Sequence, residues 1–231
     1  MVPKGQGRGA RGYGRGKHVR VKTARGRKTS STRWLHRQLN DPFVREAQRL
    51  GYRSRAAFKL LELDDRYEFL KKGARVVDLG AAPGGWSQIA KDRVGNSGSV
   101  VALDLVSIEP LVGVDMVEAD FFSEQSVSLL DLKIGTQVDV VLSDMAAPST
   151  GHASTDHLRI MSLAEAAYDF ARPRLVKGGT FVTKVFQGGT DRDLLEKLKR
   201  DFAKVRHAKP KSSRVESAEM YMVAMGLQIK E

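Results

Sequence analysis

Four carboxylates and one lysine stand in or at the ends of short apolar runs: Asp78, Asp104, Asp120, Asp144 and Lys184. Asp78 closes the first run and is followed by Gly80, Pro83, Gly84, Gly85 and Trp86. Glycines at 80, 84 and 85 allow a tight turn that passes close beneath a ligand. The dinucleotide fingerprint is Gly-x-Gly-x-x-Gly; the spacing here is Gly-x-x-x-Gly-Gly, and no Gly-x-x-x-x-Gly-Lys-Ser/Thr phosphate loop follows. An acid ahead of the turn suits a ligand with a cationic amino-acid end better than a pyrophosphate. S-adenosylmethionine, with its ammonium, sulfonium and ribose, is such a ligand. The plainer alternative is a glycine turn that only packs a strand on a helix. Asp104 follows Gly80 by 24 residues, where an acid at the end of a second strand accepts hydrogen bonds from ribose hydroxyls. Asp120, beside Phe121, suits an adenine amino group with the ring packed on the base, or equally caps the next helix. Asp144 ends a run at the centre of the sheet and points into the crevice between cofactor and substrate. Lys184 lies within an apolar strand, which is costly unless the lysine is paired with a carboxylate or functional.

An open α/β sheet has to carry these residues. Strands are predicted at 75–79, 99–104, 114–120, 138–144 and 180–186 from short β-branched runs bounded by turn residues. A sixth, from 204, turns into a basic loop by 211. The last, at 220–226, is antiparallel to its neighbours and has Glu219 at its start. Asp41 and Pro42 open a helix that Gly51 ends. Ser54 is expected to cap a second helix reaching about Tyr67, and Arg45, Arg49, Arg53, Arg55 and Lys59 make this region a basic surface. Further helices are predicted from Trp86, over 156–175 and over 191–202. Ligands of such sheets sit outside the carboxyl ends of the strands.

With 231 residues the chain can bury one sizeable core, so a single domain over 31–231 behind a tail is expected. The absence of cysteine removes disulfides, thiolate zinc sites, cysteine-held iron–sulfur clusters and cysteine nucleophiles, and it is compatible with a reducing compartment. No apolar run reaches the ~18 residues of a membrane span, and the basic N-terminus lacks the apolar core of a secretory signal; a cytoplasmic protein is expected. No apolar stripe is left over, which favours a monomer. The net charge of +12 is unevenly placed: residues 1–40 hold 12 Lys and Arg and no acid, while 78–169 hold 4 basic and 14 acidic residues. An acidic middle suits a cationic cofactor, and basic flanks suit a polyanion. Residues 1–30 are Gly-, Arg- and Lys-rich and too polar to offset ordering entropy, so a disordered tail that touches RNA phosphates is expected.

Taken together, six stretches resemble the FtsJ/RrmJ ribosomal RNA 2′-O-methyltransferases. They are Ser31-Thr32-Arg33-Trp34-Leu35, Ser54-Arg55-Ala56-Ala57-Phe58-Lys59-Leu60, the segment from Asp78 to Ser87, Leu142 to Met145, Lys184 to Gly188, and Ser212 to Arg214 with Glu219 to Tyr221. The resemblance spans roughly residues 31–228. It implies a Rossmann-like, seven-stranded, mostly parallel methyltransferase sheet with helices on both faces and the last strand antiparallel. It also implies S-adenosylmethionine as cofactor and a Lys-Asp-Lys-Glu tetrad, which falls on Lys59, Asp144, Lys184 and Glu219. Cofactor contacts carry over to Gly84, Trp86, Asp104, Asp120 and Asp144. The implied substrate is a uridine ribose in the A-loop of large-subunit rRNA on the assembled subunit, with no metal. After Met145 the family reads Ala-Pro-Asn, whereas this chain has Ala146, Ala147, Pro148 and Ser149.

The expected chemistry is an in-line displacement by a ribose 2′-oxygen on the cofactor's methyl carbon. Lys184 is the candidate base or orienting group, with Asp144 orienting it, Lys59 on the substrate ribose or phosphate, and Glu219 holding the lysines. Base N-methylation is not expected, because no Asn-Pro-Pro-aromatic motif follows the fourth strand. Two other readings stay open: an RNA-binding assembly factor on the same fold, and the same chemistry on tRNA or an mRNA cap. A nicotinamide dehydrogenase ranks behind these because the glycine spacing is wrong.

Overall fold

The computed structural model describes Val19 and residues 29–135, 137–187 and 192–228. Its elements run α1 (Thr29–Asn40), α2 (Pro42–Leu50), α3 (Ala56–Tyr67), β1 (Arg75–Leu79), α4 (Gly85–Val94), β2 (Ser99–Asp104) and β3 (Val114–Glu118), then α5 (Glu124–Ile134), β4 (Val138–Ser143), α6 (Ala153–Ala171), β5 (Leu175–Phe186), α7 (Arg192–Asp201), β6 (Phe202–Ala208) and β7 (Glu219–Leu227). The seven strands form one sheet in the order β3-β2-β1-β4-β5-β7-β6. All neighbours are parallel except β7, which is antiparallel to both β5 and β6. The chain leaves β1 towards β2 on one side and later returns to β4 on the other, so the strand order switches direction there. A crevice therefore opens beyond the carboxyl ends of β1 and β4.

Side chains alternate across a strand with period two, and this sorts the core into two layers. Val77 and Leu79 of β1, Phe181 and Val185 of β5, and Met222 and Ala224 of β7 pack with α5, α6 and α7. Val76, Val182, Tyr221 and Val223 pack with α3 and α4. Asp78 has the parity of Val76, Lys184 that of Val182, and Glu219 that of Tyr221. The same alternation thus sends all three charged residues to the α3–α4 side. The antiparallel register sets Lys184 directly opposite Tyr221.

Several predicted boundaries move. β3 ends at Glu118, which leaves Asp120 in the following turn. α6 stops at Ala171 and β5 starts at Leu175; a register shift against β4 between Val138 and Val140 absorbs Gly178 and Gly179 within the strand. β6 covers Phe202–Ala208, so the basic loop starts earlier than expected. Asp41 caps α2 as expected, accepting the Phe43 N–H at 3.0 Å, and Gly51 ends the helix with φ +74°. Ser54 does not cap α3. Arg55 holds that position in helical conformation with no side-chain cap bond, and Ser54 Oγ is buried without a partner. α1 was not predicted; its last residue, Asn40, exchanges hydrogen bonds with the Val19 backbone at 2.8 and 3.0 Å. The predicted tail, apart from Val19 and the first turn of α1, lies outside the described residues.

The floor of the crevice is set by Gly80. Asp144 N–H donates to Leu79 O at 3.1 Å, so the chain leaving β4 runs tightly against the chain leaving β1. Gly80 has φ +74°, and a Cβ there would stand 2.7 Å from Met145 Cα. Strained φ and overpacking add. Gly80→Ala is expected to lower the unfolding free energy by about 2–4 kcal/mol in urea titrations; an unchanged midpoint would show that the two loops can separate at no cost.

Candidate active site

Arg55 at the N-cap of α3, and Lys59 and Glu62 within it, are spaced by four and three residues and therefore share one face. Glu62 accepts backbone N–H groups from Lys211 (2.5 Å) and Ser212 (2.9 Å), and Arg55 donates to Ser212 O and to Asp41 Oδ2. These bonds pin the β6–β7 loop to α3. From that loop Ser213 Oγ donates to Glu219 Oε1 at 2.9 Å, which orients Glu219 at the start of β7.

The tetrad residues come together at this point as two ion pairs. Lys59 Nζ lies 2.7 and 2.8 Å from the two oxygens of Glu219. Lys184 Nζ donates to Asp144 O at 2.6 Å and to Asp144 Oδ1 at 3.1 Å. Tyr221 links the pairs: its hydroxyl donates to Asp144 Oδ1 at 2.8 Å and accepts from Lys59 Nζ at 3.3 Å. The four charged side chains are only 7–18% exposed, so each needs its partner. Burial opposes ionisation of Asp144, but the charges of Lys184 and Lys59 and the Tyr221 hydroxyl outweigh it, and the carboxyl sits below its usual range. Burial, then Asp144 and Glu219, push the Tyr221 hydroxyl well above its ordinary value.

Beside this cluster lies a cleft of roughly 250 Å³ whose walls include Gly80, Asp104, Asp120, Phe121, Asp144 and Met145. Asp104 is fixed by the N–H groups of Ala82 and Val106, both at 2.9 Å. Asp120 accepts the Phe122 N–H at 3.0 Å. Of the neighbouring rings, Phe121 is packed in the core while Phe122 is 65% exposed. Asp78 is fully buried behind the glycine turn; Ser87 Oγ donates to its Oδ2 at 2.6 Å, and Oδ1 has no partner. Burial pushes the Asp78 carboxyl up to about 7, and the charges of Asp144 and Asp104 add to this. An acidic cleft backed by an unpartnered carboxylate oxygen is the complement of a cationic ligand.

The remaining loop residues have other neighbours. Pro83 follows a cis peptide bond. Gly84 has φ +100° and lies against Arg53, while a Cβ on Gly85 would run into Ser54 Oγ. The Trp86 side chain is buried, with its indole N–H donating to Ala56 O at 2.9 Å. Gly85 and the Trp86 ring thus face α3. Sequence reasoning gave no role to Tyr221, Glu62 or Ser213, nor to Arg53 beyond the basic surface. Arg53 straps the β2–β3 loop by donating to Glu109 O and to Pro110 O at 2.7 Å. The available signals were the helical spacing of Arg55, Lys59 and Glu62 and the strand alternation of Glu219 and Tyr221. Among the described residues no group of three His, Asp or Glu is placed to hold a metal ion, and no helix is long and apolar enough to cross a membrane.

Comparison with known proteins agrees with this geometry. A family profile described as FtsJ-like methyltransferase matches residues 52–227. The chain is 56% identical over 227 residues to the ribosomal RNA large subunit methyltransferase E of Paramagnetospirillum magneticum, covering 96% of this chain and 93% of that protein. It is 54% identical over 232 residues to the protein of the same name from Parvibaculum lavamentivorans, covering 96% and 91%. A solved structure described as a ribosomal RNA methyltransferase of Plasmodium falciparum superposes with a TM-score of 0.69 at 32% identity, over 76% of this chain and 98% of that one. Seven strands with β7 reversed, an acidic cleft at the switch point and a paired lysine–carboxylate cluster beside it are accounted for by one ancestry: this chain belongs to the FtsJ-like methyltransferase family.

Proposed function

We propose that the chain transfers a methyl group from S-adenosylmethionine to the 2′-hydroxyl of a uridine ribose in the A-loop of large-subunit rRNA, acting as a monomer on the assembled subunit in the cytoplasm. The observation that carries this reading is the Lys59–Glu219 and Asp144–Lys184 pairing at the edge of the acidic cleft, in a chain more than half identical to proteins named for large-subunit rRNA.

The residues of the cleft fit the cofactor. Asp78 Oδ1, buried without a partner, complements an ammonium. Asp104 and Asp120 supply acceptors for ribose hydroxyls and an amino group, and Gly80 leaves the backbone bare beside them. When bound, the cofactor supplies a methyl carbon made electrophilic by its sulfonium. Residues of the chain supply position and proton handling. An ammonium has three N–H donors; Asp144 takes two from Lys184, and the third is left for the ribose 2′-oxygen. As an ammonium, Lys184 orients that oxygen and stabilises charge developing on it. As an amine, it takes the hydroxyl proton at Nζ. Lys59 is held by both oxygens of Glu219 and by Tyr221, so it contributes fixed charge. Arg55 and Arg214 line the concavity beside it, where a polyanion approaches. Near-attack positioning of this kind is worth about 7–11 kcal/mol. The basic segment 1–30 adds non-specific attraction to RNA phosphates.

The direct test offers labelled S-adenosylmethionine with intact large subunits, free large-subunit rRNA and tRNA in parallel, and maps the modified sugar. One labelled uridine, strongest on intact subunits, is expected; label on tRNA alone would replace the substrate and keep the chemistry. Lys184→Ala is expected to bind the cofactor within about twofold of wild type while turnover falls by about 10²–10⁴. Appreciable residual turnover would remove Lys184 as the proton-handling group.

Asp78 gives a pH dependence. Its folded-state value, about 7, is raised above the ~4 of an unfolded aspartate. The folded state therefore holds the proton longer, and the stability this group contributes is complete below pH ~4 and lost as pH rises through ~7. Asp78→Asn should flatten that component of the stability profile. A cofactor ammonium prefers the ionised carboxylate, so wild-type affinity should rise by roughly tenfold from pH 6 to pH 8. Calorimetric titrations showing the same affinity at both pH values would rule out a direct Asp78–ammonium contact.

A further inference from the structure

Tyr221 stands two residues after Glu219 on β7 and directly opposite Lys184 on β5. Its side chain is fully buried. The ring lies 5.4 Å from that of Trp86, and Lys59 Nζ stands 5.8 Å from its centroid. A ring so enclosed is not available to stack on a substrate base, which leaves the hydroxyl as its functional group. A phenol has one proton to give and lone pairs to receive. The proton goes to Asp144 Oδ1 and a lone pair takes an N–H from Lys59. The bonds therefore run from Lys59 through Tyr221 to Asp144, which also receives Lys184. The hydroxyl thus stands between the Lys59–Glu219 and Lys184–Asp144 ion pairs and touches one member of each.

We propose that Tyr221 is a positioning residue that couples the two lysine–carboxylate pairs and, by occupying Asp144 Oδ1, limits how tightly that carboxylate holds the Lys184 ammonium. The idea rests on the methyltransfer reading for its kinetic consequence, but the coupling itself is a property of the folded site. Hydrogen bonds in such chains polarise one another. The high ionisation point of the hydroxyl keeps it a neutral donor throughout the working range. The groups facing Asp144 are Lys184 from β5, Tyr221 and Glu219 from β7, Lys59 from α3, and Asp78 from β1. Tyr221→Phe removes one hydroxyl and leaves the others, together with the ring packing on Trp86.

In Tyr221→Phe, kcat at neutral pH is expected to fall about tenfold, with KM for cofactor and for RNA within about twofold of wild type. The pH at which kcat reaches half its maximum should move up by about one unit, so that activity is partly recovered at higher pH. The heat-unfolding midpoint should stay within a few degrees of wild type. A readout without turnover uses ¹³C-labelled aspartate: the Asp144 carboxyl carbon should titrate at higher pH in the variant, because a donor to its ionised form is gone. Wild-type kcat and pH profile together with an unmoved Asp144 titration would overturn the coupling. A loss spread over KM and melting temperature with no pH shift would also overturn it, by making Tyr221 a packing residue. If the wild-type chain fails to methylate rRNA, the function is wrong while the Asp144 titration still decides the coupling.

Discussion

Two ammonium groups have to stand side by side at the mouth of one crevice, and the surrounding structure is built to neutralise them. Removing a charge from water costs several kcal/mol unless a partner and further hydrogen bonds replace the solvent. Lys184 stands near the carboxyl end of β5 and is only 7% exposed, and Asp144 meets it with both its carbonyl and its carboxylate. Lys59 comes from α3, on the face of the sheet to which Lys184 points, and meets Glu219 from the last strand. These partners are about 40 and 160 residues apart in sequence. Their meeting depends on the sheet order, the reversed β7 and the tight β1–β4 crossing at Gly80. The fold supplies the geometry, and the charge pairing fixes the side chains within it.

Charge is also partitioned across the site. On the cleft side stand Asp78, Asp104, Asp120 and Asp144. Beside Glu219 stand Lys59 and Arg55, with Arg214 from the basic β6–β7 loop. In the proposed function, this partition would draw a cationic cofactor and an anionic nucleic acid to opposite sides of the site. The loop is held by main-chain contacts: Glu62 binds two of its N–H groups and Arg55 one of its carbonyls. Side chains such as Lys211 therefore need not be spent on holding the loop in place.

Much of this was legible in the sequence where the signal was local. The strands showed through their β-branched runs, and the acids at their ends followed from the architecture. Lys184 was conspicuous because a lysine has no other reason to sit in a buried strand. Lys59 and Glu219 were assigned through family resemblance, since a lysine on a helix and a glutamate at a strand edge look like ordinary surface residues until the partner element is in place. Tyr221 reads as a core aromatic, and its ring is one; only the register opposite Lys184 shows what the hydroxyl does. α1 was not predicted although Leu35 and Leu39 stand at helical spacing; the described contacts at its end are polar ones through Asn40. Ser54 had the right residue type for a cap, but the chain enters α3 already helical at Arg55, which leaves the hydroxyl facing Gly85. Gly85 in turn looks like a ligand glycine and serves the close packing of α4 against the start of α3.

The two halves of the site differ in how far they are satisfied before any ligand binds. In the tetrad each charged group has a partner within the chain, so the proposed reaction would need little reorganisation there. The cofactor half is the reverse. Asp78 is fully buried behind the cleft with one oxygen unpartnered, and Asp104, Asp120 and Asp144 line the cleft itself. Burial, with the charges of Asp144 and Asp104 adding to it, disfavours the ionised form of Asp78. A cation that pairs with Asp78 relieves both costs at once. In the proposed function, the cofactor side would draw on the electrostatics of the buried Asp78, and the tetrad on hydrogen bonds already made within the chain. Asp144 belongs to both halves: it lines the cleft and fixes Lys184, so in the proposed function a residue beside the cofactor would also set the position of the amine offered to the ribose hydroxyl.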